Sequence, residues 1–469
     1  MTGLGEVPAK TRRAAPIALL LPAAVGACSL GPHYKRPETA VPREWNTAAP
    51  SAREAWPSAE WWRGFRSPRL DALIAEAHSR NTDLGAAAAR VRQADAQARI
   101  AGAPLLPSVG ANVGAAPTRL LNNLGRERHF TRFQGILQAS YEIDFWGKNR
   151  AALEAAEASA SASRYDWQVV SLTITAGVAA SYFQALGLQD ELRVARDNVT
   201  RAQRDLDGMA QQQAQGIVPL LAVVQQQVVV DRLAAAIPPL EQQLAATRDA
   251  LAILVGKLPE ELDLPAGSLV DLSLPAVAPG LPSELLLRRP DVQQAEAQLV
   301  SANANIRVAR AQFFPSFNLN PSGGVASMLL AHGGVPVLGV YSFAASIVQP
   351  IFEGGRLRGQ LELSEARYQE LLEDYRKAAL SAFGDVEDAL AAIRATANQQ
   401  AVQEKAVASA RRAYQMSLDA FHGGTETILS VLVSESALYM AENARVQARL
   451  ARIQALVSLF KALGGGWKT

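Results

Sequence analysis

Side chains able to do covalent or metal chemistry are few and scattered in this chain. The five histidines, His33, His78, His129, His332 and His422, form no HExxH pair and no spacing suited to a shared metal. There is no G-x-S-x-G elbow. No Walker A string occurs either, since Trp467 rather than glycine precedes Lys468-Thr469. Glu362, Glu365, Glu370, Glu373 and Asp374 share a helical stretch with Arg367, Arg376 and Lys377, which reads as a solvated, partly paired face. No catalytic group, metal or cofactor is expected. What remains is Cys28, the single cysteine, which has no disulfide partner in the chain.

The setting of Cys28 suggests what happens to it. Lys10, Arg12 and Arg13 precede an apolar run from Ala14 to Ala24, too short to span a bilayer as a helix and fitting a secretory signal over residues 1–27. The small residues Val25-Gly26-Ala27 before the cysteine resemble the lipobox of bacterial lipoproteins. That resemblance implies cleavage before Cys28 and its lipidation, and Ser29 in second place implies the outer membrane. An ordinary signal peptide with an incidental cysteine is the alternative. No later run of eighteen apolar residues appears, so no transmembrane helix is expected.

The remaining chain must be organised by something other than an active site. Its 469 residues, 49% hydrophobic and 19% charged, describe an ordered protein, and a net charge of +2 without a basic stripe excludes nucleic acid. An offset of 208 residues separates Asp83 from Asp291, Pro107 from Pro315, Arg150 from Arg358, Gly216 from Gly424, Leu221 from Leu429 and Gly256 from Gly464. Six matches at one gapless offset indicate an internal duplication.

The division that follows has a proline-rich segment at 28–67, a first repeat at 68–256, a linker at 257–282, a second repeat at 283–464 and a tail at 465–469. Trp61, Trp62 and Phe65 read as packing residues. Each repeat opens with a helix, at about 68–103 and from Pro282 to Phe314. Ala295, Leu299, Ala302, Ile306 and Ala309 line one face of the second. Two strands follow in each, about 107–117 and 132–146, then 315–327 and 338–350. In the first repeat Phe133, Leu137, Tyr141 and Ile143 alternate with Gln134, Gln138, Ser140 and Glu142; in the second Tyr341, Phe343, Ala345 and Ile347 alternate with Ser342, Ala344 and Ser346.

Long helical hairpins at 147–256 and 355–464 complete the repeats. Gly216 and Gly423-Gly424 mark their turns, and an unbroken outgoing helix would approach roughly 100 Å. Pro238-Pro239 must interrupt the first returning helix, where the second has Val446-Gln447. Strands with one apolar and one polar face expose their edges in water, whereas a bilayer admits only a closed barrel. Four strands are too few for one, since such barrels need about eight. The strands therefore call for an oligomer, and three chains would leave a lumen.

Several strings then resemble a known family: WWRGFRSPRLDALI from Trp61, GLPSELLLRRPDV from Gly280, ARAQFFPS from Ala309, QPIFEGGRLRGQLELSEARYQ from Gln349, SAFGDVEDAL from Ser381 and KALGGGW from Lys461. The chain resembles the outer-membrane efflux proteins of the TolC and OprM type, nearest the NodT-like lipoproteins, as IPPLEQQLAATRDALAILVGKLP from Ile237 also suggests. The resemblance covers nearly the whole chain. It implies an α+β membrane protein, a homotrimer with a twelve-stranded β-barrel and a long-helix α-barrel reaching into the periplasm. It implies a passive exit duct that contacts outer-membrane lipid and works with a periplasmic adaptor and an inner-membrane RND-type pump. The two helical turns would form the periplasmic tip, with Gly216, Ile217, Val218, Gly423, Gly424, Thr425 and Glu426 meeting the adaptor.

The gate departs from the family pattern. Relatives often carry aspartates in a string like L-D-V-L-D-A after the second turn. Here the string is Leu429-Ser430-Val431-Leu432-Val433-Ser434-Glu435, and Ala222 stands for a frequent aspartate in the first repeat. The gate set is Leu221, Ala222, Gln225, Leu429, Ser430, Val433 and Glu435. It closes on an apolar constriction at Leu429 and Val433, or on a displaced acidic ring from Glu426 or Glu435. A duct for protein secretion and a lipid-anchored scaffold without a pore are the competing functions.

Overall fold

The computed structural model describes residues 31, 34–39, 41–46, 58–121, 125, 127–277, 282–330, 333–334 and 337–465. The signal segment, Cys28 and all of the tail beyond Gly465 lie outside the described residues.

Helices and strands recur in the same order in each half. The first half contains α1 (Pro68–Arg80), α2 (Thr82–Gly102), β1 (Ser108–Leu121), β2 (Glu127–Ile143), α3 (Lys148–Ala214), α4 (Leu220–Ala235) and α5 (Ile237–Val255). The second contains α6 (Pro282–Arg288), α7 (Pro290–Ala311), β3 (Ser316–Leu330), a two-residue β4 (Gly333–Gly334), β5 (Leu338–Val348), α8 (Arg356–His422) and α9 (Ile428–Ala462). Both α3 and α8 are 67 residues long and are displaced by the same 208 positions as the sequence landmarks.

The expected single helix at the head of each repeat is two helices. Proline explains the second break, because Pro290 pushes Arg289 out of the helical region. The first break has no proline. There Asn81 adopts an extended conformation and its Oδ1 accepts the N–H groups of Asp83 and Leu84 at 2.9 and 3.0 Å, capping α2. Asn81 and Arg289 are again 208 residues apart, and both reach the end of the returning helix of their own half. Asn81 Nδ2 donates to the Leu254 carbonyl at 2.8 Å, and Arg289 Nη1 donates to the Ala462 carbonyl at 3.1 Å. Carbonyls in the last turn of a helix have no partner within it, so each residue satisfies one of them.

The chain divides into two compact units. One comprises the described part of Met1–Lys35 with Ala96–Ala158 and Val300–Gln369, and holds the sheet. Its order is β1-β2-β3-β5, antiparallel throughout, with β4 also on β3. The strands β1 and β2 extend further towards their connection than the alternation predicted, with Leu121 paired to Glu127. Trp146 Nε1 donates to the Pro315 carbonyl at 2.8 Å, and its ring lies 4.7 Å from Phe314, which ties the ends of β2 and β3 together.

The other unit comprises the described parts of Arg36–Asp95, Ser159–Leu299 and Glu370–Thr469. Its core packs Phe65, Leu70, Leu73 and Phe183 with Leu251 and Ile453. Trp61 stacks on Phe460 at 4.7 Å, and Trp62 sits edge-on to His78, so these tryptophans are packing residues. The segment 257–282 is more than a linker. Leu262 and Leu269 are fully buried in this core. Arg248 and Arg449 donate to their carbonyls, and Asp190 accepts the Leu269 N–H at 2.9 Å.

Two runs, Lys148–Ala214 and Leu220–Val255, contain stretches long and apolar enough by composition to cross a membrane. Neither stretch is a continuous apolar run: clusters of Val, Leu and Ala raise the average while polar residues such as Gln225, Gln226 and Gln227 interrupt them. Half of the α3 stretch is packed inside the chain.

Candidate functional site

The hairpin turns are built by one backbone device used twice. Gly216 N–H donates to Gln213 O at 2.9 Å and Ile217 N–H to Gln212 O at 2.9 Å. Gly424 N–H donates to Phe421 O at 3.0 Å and Thr425 N–H to Ala420 O at 3.0 Å. This paired pattern, with Gly216 at φ +71° and Gly424 at φ +70°, is the Schellman ending that a Cβ disfavours. Ile217, Gly423, Thr425 and Glu426 are exposed with the two glycines, and Val218 is half-buried.

Beyond the turns, α4 and α9 divide the expected gate residues between two faces. Leu221 and Leu429, at matching positions, are 64% and 61% exposed, and Val433 is 63% exposed. Ser430 and Gln225 are half-buried beside them. Ala222 and Glu435 turn the other way, with Glu435 wholly buried. Of the two carboxylates considered for a displaced ring, Glu426 therefore stands in solvent, accepting the Ser430 hydroxyl at 2.7 Å, while Glu435 faces the chain's own helices.

That interior is polar. Gln226 Nε2 donates to the Ala202 carbonyl at 3.1 Å and to Glu435 Oε2 at 3.4 Å, and the Tyr439 hydroxyl donates to Glu435 Oε1. One turn further along α9, Glu442 accepts Arg201 at 2.5 Å from α3 and Arg411 at 2.9 Å from α8. The Arg201 guanidinium also lies 5.6 Å over the Tyr439 ring. Tyr414 donates to Asp205 at 2.7 Å, joining α8 to α3. Apolar Ala202, Leu206, Val229 and Val230 enclose this network.

Burial sets the electrostatics. Desolvation pushes Glu435 above the usual carboxylate range, with the nearby Asp205 charge adding to it and the Tyr439 hydrogen bond opposing. Desolvation raises Asp205 too, against the Tyr414 hydrogen bond. At Glu442 desolvation is outweighed by the hydrogen bonds from Arg201 and Arg411, and its pKa falls. Sequence reading did not find these partners. Their signal was present in the spacing, because Glu435, Tyr439 and Glu442 recur at four and three residues and Arg201 and Asp205 at four, each on one helix face.

Long paired helices, a strand pair inserted in each repeat and two exposed leucine-bearing turns define a subunit of an outer-membrane channel. The same architecture occurs in the solved outer-membrane channel OprN, with a TM-score of 0.86 at 26% identity over 94% of this chain and 100% of that one. The family model for outer membrane efflux protein matches residues 73–257 and again 281–465, so the two matches are themselves 208 residues apart. The pyoverdine export outer membrane protein OpmQ of Pseudomonas putida is 41% identical over 92% of this chain and 93% of its own. The cation efflux system protein CusC of Escherichia coli is 32% identical over 95% and 97%. The chain belongs to the outer membrane efflux protein family. It is an outer-membrane component of an efflux system, in a family of channel proteins rather than enzymes.

Proposed function

We propose that three copies of this chain form a gated exit duct for small molecules. The sheet ends in β1 and β5, which have no strand on their outer sides among the described residues. A membrane tolerates no open edge, and three four-stranded sectors close a twelve-stranded barrel. A lipid on Cys28 anchors each copy. The turns at Gly216–Val218 and Gly423–Glu426 receive a periplasmic adaptor, which links the duct to an RND-type pump. Similarity to a pyoverdine exporter and a cation efflux protein favours small solutes over secreted proteins.

The observation that carries the gate is the pair of exposed leucines, Leu221 and Leu429, at matching positions just past the two turns. Three copies place six leucines together, with Val433 alongside. A narrow apolar opening empties of water and stops conduction without a charged ring. The test is planar-bilayer conductance of purified wild type and Leu429→Gly, with the native mass measured on the same samples. A trimer of low conductance that rises in Leu429→Gly supports the gate. A monomer silent in both forms defeats the duct.

A further inference from the structure

Strand register sorts the sheet side chains by number alone. Every paired position in β1, β2, β3 and β5 joins odd to odd and even to even, as in Val113 with Gly135 and Phe317 with Ile347. One face therefore carries only odd residues and the other only even ones. Over 109–117, 133–143, 317–325 and 339–347 the odd face has no charged residue and exposes Val113, Leu137, Tyr341 (93% exposed) and Phe343. The even face is richer in amides and hydroxyls, with Asn112, Gln134, Gln138, Asn318, Asn320 and Ser342, although Ile136 and Val340 also fall on it. In a barrel the apolar face meets lipid and the even face lines the water.

Two charged side chains described on β2 hold even positions, Glu142 within those ranges and Arg132 one residue beyond them, where the parity of the register still holds, and they differ. Glu142 is compensated by Lys148 Nζ at 2.6 Å. Arg132 lies ten residues away, about 33 Å along the strand at roughly 3.3 Å per residue. It is exposed, it has no ion-pair partner among the described residues, and its register neighbours are Ala116 and Met328. Arg128 shares its parity and its sign.

We propose that Arg132 is a charge filter of the duct, a cationic ring in the barrel lumen that favours small anionic solutes. The proposal rests on the trimeric-duct reading above. Three copies set three uncompensated guanidiniums around one lumen, and arginine rings favour anions. At the tip, Ser430 and Val433 carry no carboxylate, and the exposed Glu426 is the one acidic side chain of the expected adaptor and gate sets left facing solvent there.

Reversal potentials in planar bilayers under a potassium chloride gradient test it, using wild type, Arg132→Gln alone and with Arg128→Gln, and Arg132→Glu. Arg132 is exposed, so these variants keep the native mass. Wild type is expected to prefer chloride, most strongly in dilute salt where screening is weak. The glutamine variants lower the chloride-to-potassium permeability ratio by about twofold or more, and Arg132→Glu reverses the preference. A cation-preferring wild type whose reversal potential is unmoved in Arg132→Glu overturns the filter and leaves the duct standing. Absence of conductance from both wild type and Leu429→Gly overturns the duct, and the filter with it.

Discussion

The two helical hairpins share a length and a turn, yet their interiors are different. Both outgoing helices have 67 residues, and both turns close through the same two backbone hydrogen bonds. Asn81 and Arg289 perform one task with an amide in one half and a guanidinium in the other. The returning helices then diverge. α9 runs unbroken from Ile428 to Ala462, whereas the first return breaks at Ala236 ahead of Pro238-Pro239. Glu435 is buried, while its counterpart Gln227 is exposed and donates to Asp231 at 2.8 Å. Arg201 and Asp205 of α3 correspond to Ser409 and Ala413 of α8, 208 residues on. Backbone devices survived duplication because a turn depends on a few local residues. Side-chain networks diverged because the two hairpins pack against each other, so one surface can supply what the other lost.

The sharpest way to break this comparison is Glu442→Ala. It leaves Arg201, whose side chain is about one-third exposed, without its carboxylate, and frees the more exposed Arg411. A loss of about 2–3 kcal/mol is expected, below the full cost of a wholly buried pair because water reaches both arginines. Thermal unfolding in detergent would check it. Gln227→Ala, on the exposed counterpart face, should stay within about 0.5 kcal/mol of wild type.

Glu435 supplies the next effect and gives it a pH dependence. Its folded pKa lies above the ordinary 4.5, so the stability linked to its proton is present at low pH and is lost as pH rises through the raised value. Glu442 has the opposite sign: its contribution is present above 4.5 and lost as pH falls through its lowered value. Glu435→Gln should therefore flatten the decline in melting temperature on going from mild acid to pH 8, and unchanged slopes would remove Glu435 from the account.

Smaller effects sharpen the likeness of the turns. Gly216→Ala and Gly424→Ala each force a Cβ into a left-handed conformation, costing about 1 kcal/mol apiece. The two losses should be equal, and a clear inequality would show that the turns differ in their surroundings. Last comes Pro238→Val with Pro239→Gln, which copies the second repeat into the first. Stability should change by less than about 1 kcal/mol, while hydrogen exchange slows around Ala236 as the two helices join.

Much of the fold was legible before any coordinates. The 208-residue offset, the turn glycines and the break at Pro238-Pro239 are visible in residue types and short spacings. The alternation in β2 and β5 announced a two-faced sheet. Other features were not legible. The break at Asn81 has only a weak local signal, an asparagine of the N-cap type inside an alanine-rich helical stretch, and its second partner, Leu254, lies far along the chain. The segment 257–282 looked like a connection because prolines dominate it, while Leu262 and Leu269 were committed to a core assembled from both repeats. Ser430 and Val433 stand out in the sequence as departures at the gate, but local spacing does not distinguish the solvent-facing Glu426 from the buried Glu435.

By itself the sequence determined the duplication, the hairpin turns and the parity of the strands, because each arises from backbone geometry over a few residues and repeats with a fixed period. Only the tertiary structure decided that Glu426 is exposed and Glu435 buried, and that Arg201, Tyr414 and Glu442 meet. Those outcomes depend on which helix faces oppose one another across more than two hundred residues of chain, where burial and charge pairing are set by partners that no local pattern names.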